Sequence, residues 1–157
     1  MASIKGISLK NIKTFRGMEY PVNYQGSVYF NGKKLGFWSQ DGNGGPDHYD
    51  FNTTELDKIA EAYYGEDRFY NLECLLGEVL TLQEYEKLYK KAVKDGYASV
   101  VIITDGYREA YIRIPKDIDK DIILKKCEQY VEDFTRKSNQ KDKIETLVFT
   151  DITDFIK

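Results

Sequence analysis

Apolar positions along this chain follow two kinds of pattern, which separate a strand-rich beginning from a helix-rich remainder. Between Ile4 and Phe15 they fall at 4, 7, 9, 12 and 15, an alternation with one break that predicts a strand rather than a helix. Val28-Tyr29-Phe30 and Lys33-Lys34-Leu35-Gly36-Phe37-Trp38 then flank Asn31-Gly32. Asn-Gly is a strong signal for a two-residue hairpin turn, because both central residues need positive φ. That turn pairs Phe30 with Lys33, Val28 with Leu35 and Gly26 with Phe37. Val28, Phe30, Leu35 and Phe37 would share one face. Tyr29, Lys34 and Trp38 would share the other, as a second buried layer or as a wet aromatic and basic surface.

Ser39 to Asp50 reads as a loop without regular structure, being dense in Asp, Asn and Gly with Pro46 among them. Asn52 or Thr54 can cap a helix in which Leu56, Ile59, Ala60 and Tyr63 recur at helical spacing, with Gly65 at its end. Residues 71–80 suggest a short buried helix. Thr81-Leu82-Gln83-Glu84 has the form of a capping box, with Leu80 and Tyr85 as its staple. The helix it opens would bury Leu82, Tyr85, Leu88 or Tyr89, and Ala92, and end near Gly96.

Ala98 to Ile103 is apolar on both faces, as a central strand is. Asp105-Gly106 turns it into a second strand, Tyr107–Ile114, which Pro115 stops. A long helix spans about Asp117 to Lys137, with Ile123, Cys127, Tyr130, Val131 and Phe134 on one stripe, and Ile144–Thr150 is a last strand. Strands at both ends around helices give an α+β fold. The expected architecture is one domain over 1–157, with a largely antiparallel sheet and about four helices packed on it. Its sub-halves would be a β-rich 1–52 and a 53–157 segment of helices, hairpin and strand.

Composition narrows the function classes. At 157 residues the chain can bury roughly 70% of its unfolded surface, enough for a core without metal or disulfide. No apolar run approaches the roughly 20 residues of a membrane span. Met1 to Gly6 shows no secretory leader, and Cys74 and Cys127 have no CxxC spacing, so a reduced cytoplasmic protein is expected. Lys outnumbers Arg 18 to 5, and 14 Ile and 13 Tyr far exceed 6 Ala. That bias follows AT-rich codons and suggests a low-GC bacterium or one of its phages.

Charge is segregated along the chain. Residues 1–40 hold Lys5, Lys10, Lys13, Arg16, Lys33 and Lys34 against Glu19, whereas residues 41–80 hold ten acids against Lys58 and Arg68. The two blocks would form a basic and an acidic side, or neutralise each other in contact.

The loop 39–52 gathers Asp41, Asn43, Asp47, His48 and Asp50, oxygen donors suited to Ca²⁺ or Mg²⁺ with one imidazole for a transition metal. Its spacing departs from an EF-hand: Pro46 stands where that loop needs Gly, and no Glu closes it. Turn chemistry accounts for the same residues. Gly42-Asn43-Gly44-Gly45 could turn amides toward a phosphate, but no P-loop or dinucleotide sequence surrounds it. Catalysis has one histidine to draw on, and both cysteines lie on apolar stripes that favour inert core thiols.

Nucleic-acid binding has two opposite forms. The basic strands with Tyr29 and Trp38 could be a stacking platform, and the acidic block could imitate a phosphate backbone. The sequence thus leads to a small, cytoplasmic, non-enzymatic binding protein with no cofactor and no resident metal. It would be a phage or mobile-element accessory that binds and inhibits a host defence protein. The expected contact surface is Tyr29, Lys34 and Trp38 with Asp41, Asn43, Asp47, His48 and Asp50. The partner is a protein; nucleic acid is not favoured, no membrane is involved, and oligomeric state is open. The rivals are a binder of a small anion such as a nucleotide, held by Gly42–Gly45 and Lys33/Lys34, and a metal-dependent hydrolase built on Asp41, Asp47, His48 and Asp50.

Overall fold

In the computed structural model Asn31 and Gly32 take φ of 47° and 79°, the paired left-handed conformation that the hairpin turn demands. The structure describes residues 1–65, 71–106, 108–117, 120–137 and 144–157, with the side chains at 120, 121, 123, 124 and 126 outside that description. Tyr107, the side chain of Ile123, and residues 66–70 of the acidic block therefore lie outside the described residues. The fold is mixed α+β with two antiparallel sheets. The chain divides into two compact units, Met1–Gln83 with Phe155–Lys157, and Glu84–Asp154.

The first unit holds a four-stranded sheet in the order β1 (Ile7–Phe15), β2 (Asn23–Phe30), β3 (Lys33–Ser39), β4 (His48–Tyr49). β1 begins at Ile7 and not Ile4, because Lys5 and Gly6 both adopt positive φ in a tight turn. The break in its alternation is an irregularity between Lys10 and Lys13, where Asn11 has φ 55°. β4 lies inside the segment expected to be structureless; it pairs Tyr49 with Trp38 and His48 with Ser39. Helix α1 (Thr54–Tyr64) follows as expected and ends at Gly65, φ 74°. Its N-cap is Thr53, not the expected Asn52 or Thr54, and carries no side-chain cap; Asn52 Oδ1 accepts from Thr54 N at 2.9 Å in an Asx turn just before the helix.

Two expected helices are one. Helix α2 runs without interruption from Leu72 to Lys94. Leu72, Leu75, Leu76, Val79, Leu82 and Glu86 are buried at spacings of three and four, so one stripe continues through the expected boundary. Thr81 caps nothing: its hydroxyl turns back to Gly77 O at 3.2 Å, the bond a mid-helix threonine makes. The core of the first unit combines Ile7, Leu9, Val28 and Trp38 from the sheet, Leu56 and Ala60 from α1, and Leu72, Leu75, Leu76, Val79 and Leu82 from α2. Gln83 Nε2 donates to Leu9 O at 2.7 Å, a buried bond joining α2 to β1. Phe155, fully buried, closes the unit, with Ser3 N donating to its carbonyl at 2.9 Å.

The second unit has a three-stranded antiparallel sheet in the order β6 (Glu109–Pro115), β5 (Tyr97–Thr104), β7 (Glu145–Phe149). β5 is the central strand expected, buried from Ser99 to Ile103. Its connection to β6 is longer than a two-residue turn, since Thr104 pairs with Glu109. Asp105 is turned inward, 3% exposed, where it accepts from Arg108 N at 2.8 Å and from the Arg108 guanidinium at 3.1 Å. Helix α3 (Lys120–Lys137) lays Cys127, Val131 and Phe134 against Val101, Ile103 and Ile114. Tyr130, expected on that stripe, is not part of this cluster and is 53% exposed. No helix among the described residues is long and apolar enough to cross a membrane.

Candidate functional site

The β2–β3 hairpin decides what the first unit shows to solvent. Phe30 pairs with Lys33 and Tyr29 with Lys34, but Val28 then meets Gly36, so Leu35 is an extra residue in a bulge. A one-residue slip moves every later side chain to the opposite face. Trp38, expected on the outer face, is fully buried beside Val28; Phe37, expected inside, is 42% exposed. The bulge is held by Asp50, whose Oδ1 accepts from Phe37 N while its own amide donates to Phe37 O at 3.1 Å. A Cβ at position 36 would collide with the Asp50 carboxylate and the Phe51 ring, so any residue but glycine there must displace one of them.

By register the outer face carries Lys10 and Lys13 from β1, Tyr29 from β2, Lys34 and Phe37 from β3, and His48 from β4. Lys10, Lys13 and Lys34 are exposed. The Lys10 ammonium sits 4.3 Å from the Tyr29 ring centre, a cation–π contact that covers one face of that ring. Of the expected hairpin surface, then, Tyr29 and Lys34 are where they were placed and Trp38 is not.

The loop from Gln40 to Asp47 folds around its own carboxylate. Asp41 Oδ2 accepts from the amides of Asn43 and Gly45, each at 3.0 Å, and Asp41 Oδ1 meets His48 Nε2 at 3.2 Å. The Gly45 amide, then His48, then the Asn43 amide hold the Asp41 carboxyl below its ordinary range. Two of the four amides expected to face a phosphate, those of Asn43 and Gly45, are therefore occupied from within, and the Glu19 carboxylate lies where a side chain at Gly44 would be. Asn43 is exposed, and the His48 side chain is 70% exposed.

Deeper in the loop, Trp38 Nε1 donates to Asp47 Oδ2 at 2.6 Å, and Asp47 N donates to Glu73 Oε1 at 2.9 Å. Burial raises the Asp47 carboxyl above its ordinary value, with Glu73 and Asp41 adding to the effect and the Trp38 bond opposing it. Tyr49, paired with Trp38, has its hydroxyl buried without a hydrogen-bond partner among the described residues. Burial, then Asp47, Glu73 and Asp57, push its phenol well above the usual tyrosine range.

An open cavity of about 270 Å³ results, with Asp41, Asp47 and Glu73 among its walls beside Tyr20, Asn23 and Gln40. Its walls include three carboxylates and no cation, which is unfavourable for an anion such as a nucleotide. Among the described residues no group of three or more His, Cys, Asp or Glu side chains converges as a metal site. The exposed His48–Asp41 pair is an imidazole beside a carboxylate, and neither cysteine belongs to it: Cys74 is on α2, and Cys127 packs in the second unit, its thiol pushed up by burial.

Lys10, Lys13 and Phe37 join this surface without having been expected there. The alternation of β1 could have given Lys10; Phe37 was hidden by the bulge, and Glu73 is 26 residues from Asp47 in sequence. Comparison with known proteins yields no matching family model, no similar curated protein and no similar solved structure.

Proposed function

We propose that this chain is a non-enzymatic binding protein, engaging a protein partner through the outer face of the β1–β4 sheet and the adjoining 39–52 loop. The observation that carries this reading is an aromatic, Phe37, held exposed by a dedicated bulge and set among Lys10, Tyr29, Lys34 and His48. An exposed aromatic on a rigid strand, ringed by polar groups, is the composition of a contact surface. The loop supports the same reading, because its internal bonds to Asp41 and Asp47 fix its shape before any partner arrives. The setting proposed is an accessory of a phage or mobile element that binds and inhibits a host defence protein; the coding bias fits a low-GC bacterium or its phages as the source. The rival readings draw less support, since an anion meets carboxylates in the cavity and a hydrolase lacks a convergent ligand set among the described residues.

A photo-crosslinking residue at position 37, and as control at exposed position 148, tests the reading in lysate of the native host. A discrete protein adduct from position 37 and none from 148 is expected. The same pattern from both positions, or none from either, would count against it.

A further inference from the structure

We infer that the partner presents an acidic protein surface with an apolar recess for Phe37, an inference that rests on the binding reading above and names its partner's chemistry. By register the outer sheet face runs through Ser8, Lys10, Lys13 and Phe15, then Asn23, Gln25, Ser27 and Tyr29, then Lys34, Phe37 and Ser39, and ends at His48. It contains three lysines and no carboxylate. Among the described residues none of those lysines takes part in an ion pair. Their charge is therefore available to a partner, and complementary carboxylates would raise the association rate in a salt-dependent way.

Phosphates would satisfy the same lysines, and two observations favour protein over nucleic acid. Single-stranded nucleic acid is held by successive bases stacking on successive aromatics. On this face Tyr29 is capped by Lys10 and Phe15 is half-buried, while Trp38 is turned to the core, which leaves Phe37 as its one freely exposed ring among the described residues. Next to the lysines the polyanion would also meet Asp41, whose carboxylate is bonded to His48 at the edge of the same face. A protein surface carries both signs of charge and can meet the lysines and this carboxylate together.

The test is an amide NMR titration of the full chain with three probes: a short peptide of glutamates around a central Ile-Leu pair, its glutamine analogue, and an oligothymidylate of matching length. The acidic peptide is expected to shift the amides of Lys10, Tyr29, Lys34 and Phe37, with affinity falling roughly tenfold from low to physiological salt. The K10E/K34E variant is expected to lose that response, and K10Q/K34Q, a milder change at exposed positions, to weaken it. Equal binding of the glutamine analogue, tighter binding of the oligothymidylate on the same amides, or no shift at them would each overturn the inference. A crosslink from position 37 that persists in K10E/K34E would overturn the acidic partner and leave the binding reading standing.

Discussion

Buried Trp38 is tied to half-buried Asp47: the indole Nε1 donates to Asp47 Oδ2 at 2.6 Å, and the Asp47 amide is itself held by Glu73. The carboxylate bears the cost of its burial, which places its pKa above the ordinary 3.8. The fold therefore favours the protonated acid. The stability this contributes is full below the unfolded value and is lost as pH rises through the raised folded value. Trp38 is the only tryptophan, so its emission reports this site. We expect the emission to titrate with a midpoint above 3.8, and Asp47→Asn to abolish that transition while keeping an acceptor for the indole. Asp47→Asn should also gain stability relative to the parent as pH rises through the window. An emission profile unchanged by Asp47→Asn would contradict the assignment.

The bulge at Leu35 depends on the empty space at Gly36, which the Asp50 carboxylate fills. Gly36→Ala should therefore force Asp50 or Phe51 to move and cost about 1–3 kcal/mol, the range for overpacking a tight site. Chemical denaturation measures it. If the change were neutral, Asp50 could not be what holds the bulge.

That bulge also shows what a linear pattern conveys. The Asn31-Gly32 turn was legible because its conformational demand is local, and so were the α1 stripe and the doubly buried β5. The extra residue at Leu35 was not, because the Asp50 that stabilises it bonds Phe37 from 13 residues further along the chain, just past β4. A single slip then reversed Phe37 and Trp38, and with them part of the expected surface. The same limit explains α2. A capping sequence at Thr81 is a local offer of a helix start, and the buried stripe on either side of it outweighs that offer. Asp41 was legible as a loop residue, and its role as acceptor for its own loop amides follows from turn chemistry. Glu73 reaches the loop through tertiary packing, for which spacing gives no signal.

Tyr63 and Tyr64 both donate to Glu78, at 3.1 Å and 2.8 Å, tying α1 to α2 through one carboxylate. Glu78→Ala removes both acceptors and should cost about 1–3 kcal/mol, with Glu78→Gln recovering part of it. The alkaline limb carries a second signature. Burial, with the Glu78 carboxylate, raises both phenols above the ordinary 10. Stability from this source is complete below pH 10 and is lost above it, as the unfolded chain ionises first. Ultraviolet titration should show these tyrosines ionising together with alkaline unfolding. Gradual ionisation of all tyrosines in the folded state would refute it.

Phe37 and Trp38 are adjacent in sequence and opposite in role, so alanine at each should separate stability from binding. Trp38→Ala opens a large void beneath Val28 and strips Asp47 of its donor, and should cost about 3–5 kcal/mol. Phe37→Ala removes a ring already 42% exposed. It should change stability by about 0.5 kcal/mol or less. In the peptide titration the order reverses: Phe37→Ala should abolish the response while the fold stays intact, because the aromatic is the apolar anchor and the lysines alone supply a weak, salt-screened attraction. Trp38→Phe, which keeps most of the buried volume, should still bind. Retained binding in Phe37→Ala would move the contact off this face, since no other exposed aromatic among the described residues lies between Lys10 and Lys34 in the sheet register.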